Sequence, residues 1–252
     1  MIEFIVKVVL SYLLGSVIGS LVVGRLYGGV DIRKEGSGNA GATNALRTRG
    51  KGFAVWVLLI DILKGVIAVS LASLLDSIPG IRQLLPPGNS TEEWYLWQNW
   101  AIAAAGIAVL LGHVYPLWHG FKGGKGVATL VGVVLVFNPF LVLPMLGVWL
   151  LAVMLLGYVG LASMLATLSI PVAAFIGLRM DPAILTDTLG PARIPFQTPL
   201  ALMLNGGDER LFVFGVAAVV LIVITHRSNL ARMRAGTEPR VRKLWLFRGK
   251  RT

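Results

Sequence analysis

The sequence contains no cysteine, few charged residues and even fewer acidic ones. The absence of cysteine excludes disulfides, thiolate zinc sites, iron–sulfur sites and a cysteine nucleophile. Only 14% of the residues are charged, whereas soluble proteins have roughly a quarter, and 56% are hydrophobic. A chain of this composition has too few polar groups to cover a globular surface. The sequence therefore predicts an integral membrane protein.

Basic residues outnumber acidic ones by 23 to 12, which gives a formal net charge of +11. On a soluble chain this excess would indicate a nucleic-acid partner. On a chain this apolar, we expect no nucleic-acid partner. We expect anionic membrane lipids and anionic substrates instead.

Long apolar runs divide the chain into candidate membrane helices, each needing about 20 mainly apolar residues. Val127–Gly157 is too long for one crossing, and Asn138-Pro139 within it is a turn signal, so we divide it there. We predict an all-α polytopic membrane protein with seven transmembrane helices in one domain, residues 1–252. The predicted helices are Phe4–Gly24, Phe53–Leu75, Asn99–Trp118, Val127–Phe137, Phe140–Gly157, Ser163–Leu178 and Arg210–Thr225.

The distribution of lysine and arginine supports seven crossings. With this count, most of the 23 basic residues lie on one side, in Arg25–Lys51, His119–Gly126 and the tail from His226. Loops rich in lysine and arginine stay in the cytoplasm, so we place the N-terminus outside and the C-terminus inside. The tail is strongly basic from about residue 239. Treating Val127–Gly157 as one helix would place that tail outside, beside the acidic segments 76–98 and 179–209, whose roles stay open.

The first of three chemically unusual segments on the predicted cytoplasmic side is GSGNAGATNALR, residues 36–47. Its small residues let the backbone approach a ligand, Ser37 and Asn39 offer hydrogen bonds, and Arg47 offers a guanidinium fork for an oxyanion. Asn44–Arg47 can begin the next helix, whose N-terminus would attract anions. The alternative interpretation is a flexible linker.

The second segment is GFKGGKGVAT, residues 120–129. The backbone N–H groups of Gly123–Gly126, the start of a helix and Lys125 together predict a phosphate cradle. The glycine spacing is one residue short of a P-loop, and Gly126 replaces the Ser or Thr that would bind magnesium, so we exclude nucleotide hydrolysis. A plain turn between helices is the alternative.

The third segment is HRSNLARMRAGTE, residues 226–238. His226 and Asn229 are three residues apart and share a helical face. For Arg240–Arg251, binding to anionic lipid headgroups is a sufficient explanation.

Three ionisable residues lie inside the predicted membrane helices. Asp61 and Lys64 are three apart and can pair, either for function or to hold helices together. For His113 we expect a helix-packing hydrogen bond. The carboxylates and histidines on the cytoplasmic side do not have the spacing of metal ligands, so we expect no metal.

Together with Asp61–Gly65, the three segments resemble, in order and placement, the signature motifs of bacterial acyl-phosphate:glycerol-3-phosphate acyltransferases, the PlsY family. The resemblance extends over Phe4–Glu238, and the long outer segments and the basic tail depart from compact members. It implies a seven-helix inner-membrane enzyme whose active site faces the cytoplasm. It also implies transfer of a fatty acyl group from acyl phosphate to glycerol 3-phosphate. The products are lysophosphatidic acid and inorganic phosphate, with no cofactor, metal or acyl-CoA.

The resemblance also implies residue roles. By position, the catalytic residues are Ser37, Arg47, Lys125, His226 and Asn229. We expect the substrate phosphates to contact Gly38, Asn39, Thr43, Asn44, Gly123, Gly124, Lys125 and Gly126. Supporting positions are Asp61, Lys64, His113, Ser163 and Glu238, of which Glu238 is expected to pair with nearby arginines. The proton of the attacking hydroxyl goes either to His226 or to the phosphate of the donor.

A transporter for an anionic solute is the alternative from another class of protein. Lys64, Arg47 and Lys125 could line a path, and Val127–Phe137 resembles a transporter half-helix. The polar groups cluster on one side and no inverted repeat is visible, which favours the enzyme. A scaffold that binds anionic lipids would explain only Arg240–Arg251.

Overall fold

The structure, a computed structural model, describes residues 2–77, 91–179, 209–241 and 246, with residue 77 and residues 91–96 as backbone only. Within these ranges every regular element is helical, which confirms the all-α prediction. The helices are α1 (Ile2–Gly15), α2 (Gly19–Leu26), α3 (Ala42–Leu74), α4 (Thr91–Val114), α5 (Val127–Phe137), α6 (Val142–Leu156), α7 (Val159–Arg179), α8 (Glu209–Thr225) and α9 (Arg227–Arg234). Most of the two predicted outer segments and of the basic tail lies outside the described residues.

The chain divides into two compact units. The first unit, Met1–Val136, contains α1 to α5 except for the last residue of α5. The second unit, Phe137–Thr252, contains α6 to α9. The single domain predicted from the sequence stays a prediction.

The helices have the length and polarity of membrane spans. Among the described residues, four stretches satisfy both criteria: Ala42–Leu74, Trp97–His119, Pro139–Leu156 and Val159–Arg179. Two bent pairs, α1 with α2 and α8 with α9, raise the number to six if each pair is one span. In Pro139–Leu156 the mean hydropathy is 2.4 and only 22% of the span is buried, so its apolar surface faces outwards as contact with lipid requires. The chain is an integral multi-pass membrane protein.

The number of crossings and the orientation of the termini stay predictions. The fourth predicted crossing, α5, is an apolar helix of 11 residues and therefore shorter than a full span.

The break expected within Val127–Gly157 is present. Helix α5 ends at Phe137, and α6 begins at Val142 after a 3-10 turn, Pro139–Leu141. The side chain of Asn138 accepts a hydrogen bond from the N–H of Phe140 at 3.1 Å and caps this turn. Asparagine as a cap followed by proline in the first turn explains why the helix stops and restarts here.

The prediction that Phe4–Gly24 forms one continuous helix is wrong. Helix α1 ends at Gly15, α2 starts at Gly19, and the two are bent by 44°. The Ser16 hydroxyl oxygen in the break accepts a hydrogen bond from the N–H of Leu117 at 3.2 Å. Ser16 thus has a partner in another part of the chain, which the apolar sequence does not signal.

Further helix boundaries differ from those predicted, and two of these lie at the motifs. Helix α3 begins at Ala42 rather than Phe53, because part of the first motif is itself helical up to Gly50, where a φ of 84° interrupts the helix. After α8 the helix is interrupted only at His226. It bends by 52° at His226 and continues as α9.

Helices of the first unit approach closely at glycines. A Cβ added to Gly112 in α4 would lie 2.1 Å from the carbonyl oxygen of Tyr12, and one added to Gly15 in α1 would lie 2.2 Å from that of Val109. Helices α3 and α5 meet in the same way, since a Cβ on Gly132 would lie 2.1 Å from the carbonyl oxygen of Ile62. Small residues at such crossings are how membrane helices gain packing contacts in the absence of a hydrophobic driving force.

A buried lysine connects helices of the first unit near the C-terminal end of α3. Lys7 in α1 is fully buried and pairs with Glu3 at 2.8 Å. Its ammonium group also donates to Asp76, which follows α3, and to Gln98 in α4. The cluster therefore joins α1 and α4 to the turn that follows α3 through charge-assisted hydrogen bonds.

In the second unit α7 packs against both α6 and α8. A Cβ on Gly215 in α8 would lie 2.8 Å from the backbone nitrogen of Pro171 in α7, so these helices are also in close contact. The Ser163 hydroxyl donates to the carbonyl of Val159 at 2.9 Å and accepts from the indole N–H of Trp149 in α6 at 3.3 Å. Ser163, expected near the site, joins α7 to α6.

The glycine contact between α1 and α4 predicts a large effect of one methyl group. Gly112→Ala should lower the Tm in detergent by several degrees, because the new Cβ meets backbone and overpacking costs about 1–3 kcal/mol. Gly147→Ala in α6 is the matched control, since nothing lies within 4 Å of its added Cβ. Equal Tm values for the two variants would contradict the contact.

Candidate active site

The amide of Asn44 determines the shape of the first motif. Its oxygen accepts from the N–H of Ser37 at 2.9 Å, and its nitrogen donates to the carbonyls of Ile32 at 2.9 Å, Glu35 at 3.0 Å and Asn39 at 3.0 Å. Asn44 is also buried. Its expected contact with a substrate phosphate is therefore corrected: both ends of the amide are used by the backbone of its own loop.

The residues of the first motif that face outwards are the ones suited to an anion. Ser37, Gly38, Thr43 and Arg47 are exposed, and the half-buried Asn39 accepts a hydrogen bond from the N–H of Gly41. Helix α3 starts immediately afterwards without a side-chain cap, so its first N–H groups point at the same loop. Among the described residues Arg47 has no ion-pair partner, whereas its neighbour Arg49 pairs with Glu35.

The two central glycines of the second motif pack against the end of α4. The N–H of Gly123 donates to the carbonyl of Val114 and the N–H of Gly124 to that of His113, both at 3.1 Å. A Cβ on Gly123 would lie 2.0 Å from the carbonyl oxygen of His113, and one on Gly124 would lie 2.1 Å from its Nε2. The expectation that these two N–H groups face a phosphate is wrong, because they satisfy the terminal carbonyls of α4.

The remaining part of the predicted phosphate cradle is the start of α5. Gly126 has a φ of 89°, a conformation that favours glycine, and its carbonyl accepts from the N–H of Leu130 at 2.8 Å as the helix begins. Lys125, which precedes it, is half-buried. Lys125 and the first-turn N–H groups of α5 are the donors that this segment offers to an anion.

The pair of Asp61 and Lys64 stabilises the break in the first helix. The ammonium of Lys64 lies 3.1 Å from the Asp61 carboxylate and donates to the carbonyls of Gly15 at 3.0 Å and Val17 at 2.7 Å. The carboxylate accepts from the N–H of Gly19, the first residue of α2, at 3.1 Å. Of the two roles left open by the sequence, these contacts support holding helices together.

His113 joins this buried pair to the second motif. Its Nδ1 lies 2.7 Å from the Lys64 ammonium, 3.2 Å from the Thr129 hydroxyl and 3.5 Å from the Asp61 carboxylate. Because an ammonium group only donates, Nδ1 accepts, and the neutral ring carries its hydrogen on Nε2, the atom nearest a Cβ on Gly124. The expected helix-packing role of His113 is confirmed. Its partner Thr129, the last residue of the second motif, was not predicted from the sequence.

In the third motif His226 lies at the bend between α8 and α9. The side chain is buried, and its Nδ1 lies 2.8 Å from the carbonyl oxygen of Ile222. A carbonyl only accepts, so Nδ1 carries a hydrogen, and in the neutral ring the lone pair is on Nε2. In this tautomer Nε2 is the ring nitrogen that can accept a proton.

Glu238 fixes the orientation of Asn229. One carboxylate oxygen accepts from the Asn229 amide nitrogen at 2.6 Å, and the other accepts from Arg232 Nε at 2.6 Å. The expected pairing of Glu238 with an arginine is confirmed. Asn229 is buried, and a Cβ on Gly160 in α7 would lie 2.8 Å from its amide nitrogen. Glycine at position 160 therefore makes room for this side chain.

Comparison with known proteins identifies the family. The family model described as glycerol-3-phosphate acyltransferase matches residues 5–236, which include the first two motifs and most of the third. The chain belongs to the glycerol-3-phosphate acyltransferase family. Glu238, which orients Asn229, lies just outside the matched region.

Curated relatives and solved structures agree with this membership. The chain is 36% identical to the glycerol-3-phosphate acyltransferase of Trichormus variabilis, covering 93% of this chain and 90% of the relative. It is 37% identical to that of Pelodictyon phaeoclathratiforme, covering 96% and 97%. Crystal structures of PlsY (YgiH), an integral membrane glycerol 3-phosphate acyltransferase, match over 94% of each chain. The glycerol 3-phosphate form has a TM-score of 0.69 at 32% identity, and the lysophosphatidic acid form 0.68 at 31%.

The buried Asp61–Lys64 pair predicts strong coupling between two mutations. Lys64→Met leaves a carboxylate and two carbonyls without their donor, and Asp61→Asn leaves a buried ammonium without its counter-ion. We expect each change to lower stability by about 3–5 kcal/mol. The double variant should lose less than the sum, by about 1 kcal/mol or more. Unfolding in detergent measures the cycle, with the exposed Lys51→Met as control. Additive losses would contradict the pairing.

Proposed function

We propose that this protein transfers a fatty acyl group from acyl phosphate to glycerol 3-phosphate, giving lysophosphatidic acid and inorganic phosphate. Family membership supports an acyltransferase that uses glycerol 3-phosphate. The related PlsY structures were determined in a glycerol 3-phosphate form and a lysophosphatidic acid form, the acceptor and the product of the proposed reaction.

The observation that carries the proposal is the position of two cations near helix N-termini in the first unit. Arg47 lies in the second turn of α3, and Lys125 lies just before α5. The N-terminus of a helix is the positive end of its dipole and attracts anions, and a cation near it adds to the attraction for a phosphate. Two such positions suit a reaction between two phosphate-bearing substrates.

We assign one substrate to each of these positions. Lys125, Gly126 and the first turn of α5 bind the phosphate of glycerol 3-phosphate. Arg47 and Ser37, with the first turn of α3, bind the acyl phosphate and stabilise the negative charge that develops on its carbonyl oxygen. Gly38, Asn39 and Thr43 line the second of these positions, whereas Asn44, Gly123 and Gly124 maintain the shape of the loops.

The proposed chemistry is a direct acyl transfer. A hydroxyl oxygen of glycerol 3-phosphate attacks the acyl carbonyl carbon, the bond from that carbon to the phosphate oxygen breaks, and phosphate leaves with the electron pair. The donor is a mixed anhydride and already activated, so the proposal requires no covalent enzyme intermediate, acyl-CoA or metal. The acyl chain reaches the protein from the surrounding lipid.

The proton of the attacking hydroxyl has two candidate acceptors. The tautomer of His226 places a lone pair on Nε2, which can accept the proton or hold the hydroxyl in line for attack. Asn229, oriented by Glu238, fixes the geometry. Alternatively, the phosphate of the donor accepts the proton itself.

We also propose seven crossings, an active site on the cytoplasmic side of the inner membrane, and anionic lipids as partners of the basic tail. The distribution of lysine and arginine supports this orientation. The transporter alternative loses one of its supports, because Lys64 donates to carbonyls at a helix break instead of lining a path.

The first experiment is an assay of phosphate release. Purified protein in lipid cubic phase should release phosphate only when palmitoyl phosphate and glycerol 3-phosphate are supplied together, without metal or CoA. Lys125→Ala removes a charge-assisted contact worth about 1.5–3 kcal/mol and should lower kcat/KM about 10- to 100-fold. Lys122→Ala is the matched control, because its side chain is exposed three residues away in the same segment. Phosphate release that does not need glycerol 3-phosphate would refute the proposed reaction.

The two candidate proton acceptors predict different results for His226→Ala. If His226 is the base, kcat should fall about 10²- to 10⁴-fold while the Kd for glycerol 3-phosphate stays nearly constant. If the donor phosphate is the base, activity above about a tenth of wild type should remain. Single-turnover kinetics and equilibrium binding of glycerol 3-phosphate distinguish the cases. A large rise in that Kd would contradict both.

A further inference from the structure

A short turn before the first motif contains an arginine with no role in the proposed reaction. The turn is the 3-10 segment Ile32–Lys34, capped by Asp31, which accepts from the N–H of Arg33 at 3.0 Å. The guanidinium of Arg33 donates to both oxygens of the same carboxylate, from Nε at 3.0 Å and from Nη2 at 2.8 Å. This is the planar two-point geometry that arginine provides and lysine does not.

The outer nitrogen of Arg33 reaches the second motif. Nη1 donates to the carbonyl of Lys122 at 2.9 Å and to that of His119 at 3.3 Å. The guanidinium therefore makes contacts with two segments that are far apart in sequence. The hydrogen bonds from Arg33 also lower the pKa of Asp31, so the carboxylate that orients the guanidinium stays ionised at neutral pH.

The two carbonyls that Arg33 holds lie on either side of an unusual backbone conformation. Gly120 has a φ of 63°, and Phe121, which is not a glycine, has a φ of 58°. A left-handed conformation costs a residue with a side chain roughly 1–2 kcal/mol and persists when its surroundings hold it. Arg33 supplies such a constraint, because its hydrogen bonds fix the residues immediately before and after the pair.

The same turn is attached to the first motif on its other side. The Asn44 amide donates to the carbonyls of Ile32 at 2.9 Å and Glu35 at 3.0 Å, at the two ends of the turn. Asn44 thus fixes the turn to the loop of Ser37, and Arg33 fixes it to the segment that leads into Lys125. Both connections lie within the first unit.

We propose that Arg33 is a positioning residue that sets the second motif in place relative to the first, so that Lys125 and Arg47 hold their two phosphates at a fixed separation. This inference rests on the proposed function, since it concerns the placement of groups that bind the two substrates. Arg33 itself touches no substrate in this proposal. Its effect should therefore fall on the binding of glycerol 3-phosphate through Lys125.

The kinetic test separates this role from a general effect on folding or charge. Arg33→Lys keeps the charge and loses the two-point geometry, so the KM for glycerol 3-phosphate should rise about fivefold or more. The KM for palmitoyl phosphate should stay within about twofold of wild type, and the Tm should be unchanged. Asp31→Asn should raise the same KM to a smaller extent. Lys34→Gln, which removes an exposed charge from the same turn, is the matched control and should change neither KM.

A second readout does not depend on catalysis. Because the chain has no cysteine, Lys122→Cys carries a nitroxide label at one defined position. The label should become more mobile when Arg33→Lys is added and stay as it was when Lys34→Gln is added. Wild-type KM values together with an unchanged spectrum in the Arg33→Lys protein would overturn the proposal. If the unmutated protein shows no acyl transfer, the proposed function fails, and the spectrum alone decides whether Arg33 positions this segment.

Discussion

The ammonium group of Lys64 satisfies main-chain carbonyls that the first helix leaves open where it breaks. In a membrane no water is available for them, and each unsatisfied group costs several kcal/mol, so a break at this depth needs a partner from elsewhere in the protein. Lys64 donates to Gly15 and Val17, and Asp61 balances its charge while accepting from Gly19. The break is therefore stable only with both residues in place, and His113 extends the same set of contacts to the second motif.

The motifs consist of two kinds of residue that a sequence pattern does not separate. The amide of Asn44 and the N–H groups of Gly123 and Gly124 are hydrogen-bonded to the backbone. The Cα atoms of the two glycines also pack against α4. These three residues therefore determine where the loops lie. Arg47 is exposed and Lys125 half-buried, each near the start of a helix, where an anion is favoured. Glycine in such a motif is required as much for the close approach of α4 as for access to a ligand.

Features set by neighbouring residues could be predicted from the sequence, and features set by distant ones could not. Asn138 followed by proline breaks a helix through its own capping and ring, and the pairing of Asp61 with Lys64 follows from a spacing of three. The break after Gly15 depends on a lysine 49 residues away, so the apolar residues around it predict a continuous helix. The contacts of Arg33 could not be predicted from the sequence either, because its partners are backbone carbonyls, which every residue has.

In the proposed reaction, the hydrogen bond of His226 Nδ1 determines which ring nitrogen carries the lone pair. Its Nδ1 hydrogen is directed at a carbonyl, so Nε2 can accept a hydrogen bond from a hydroxyl whether or not the proton is finally transferred. In the proposed reaction, the acceptor that lies in line with the O–H bond when the carbonyl is attacked takes the proton. The contact of Nδ1 with the Ile222 carbonyl limits rotation of the ring, which favours alignment of Nε2 with that bond.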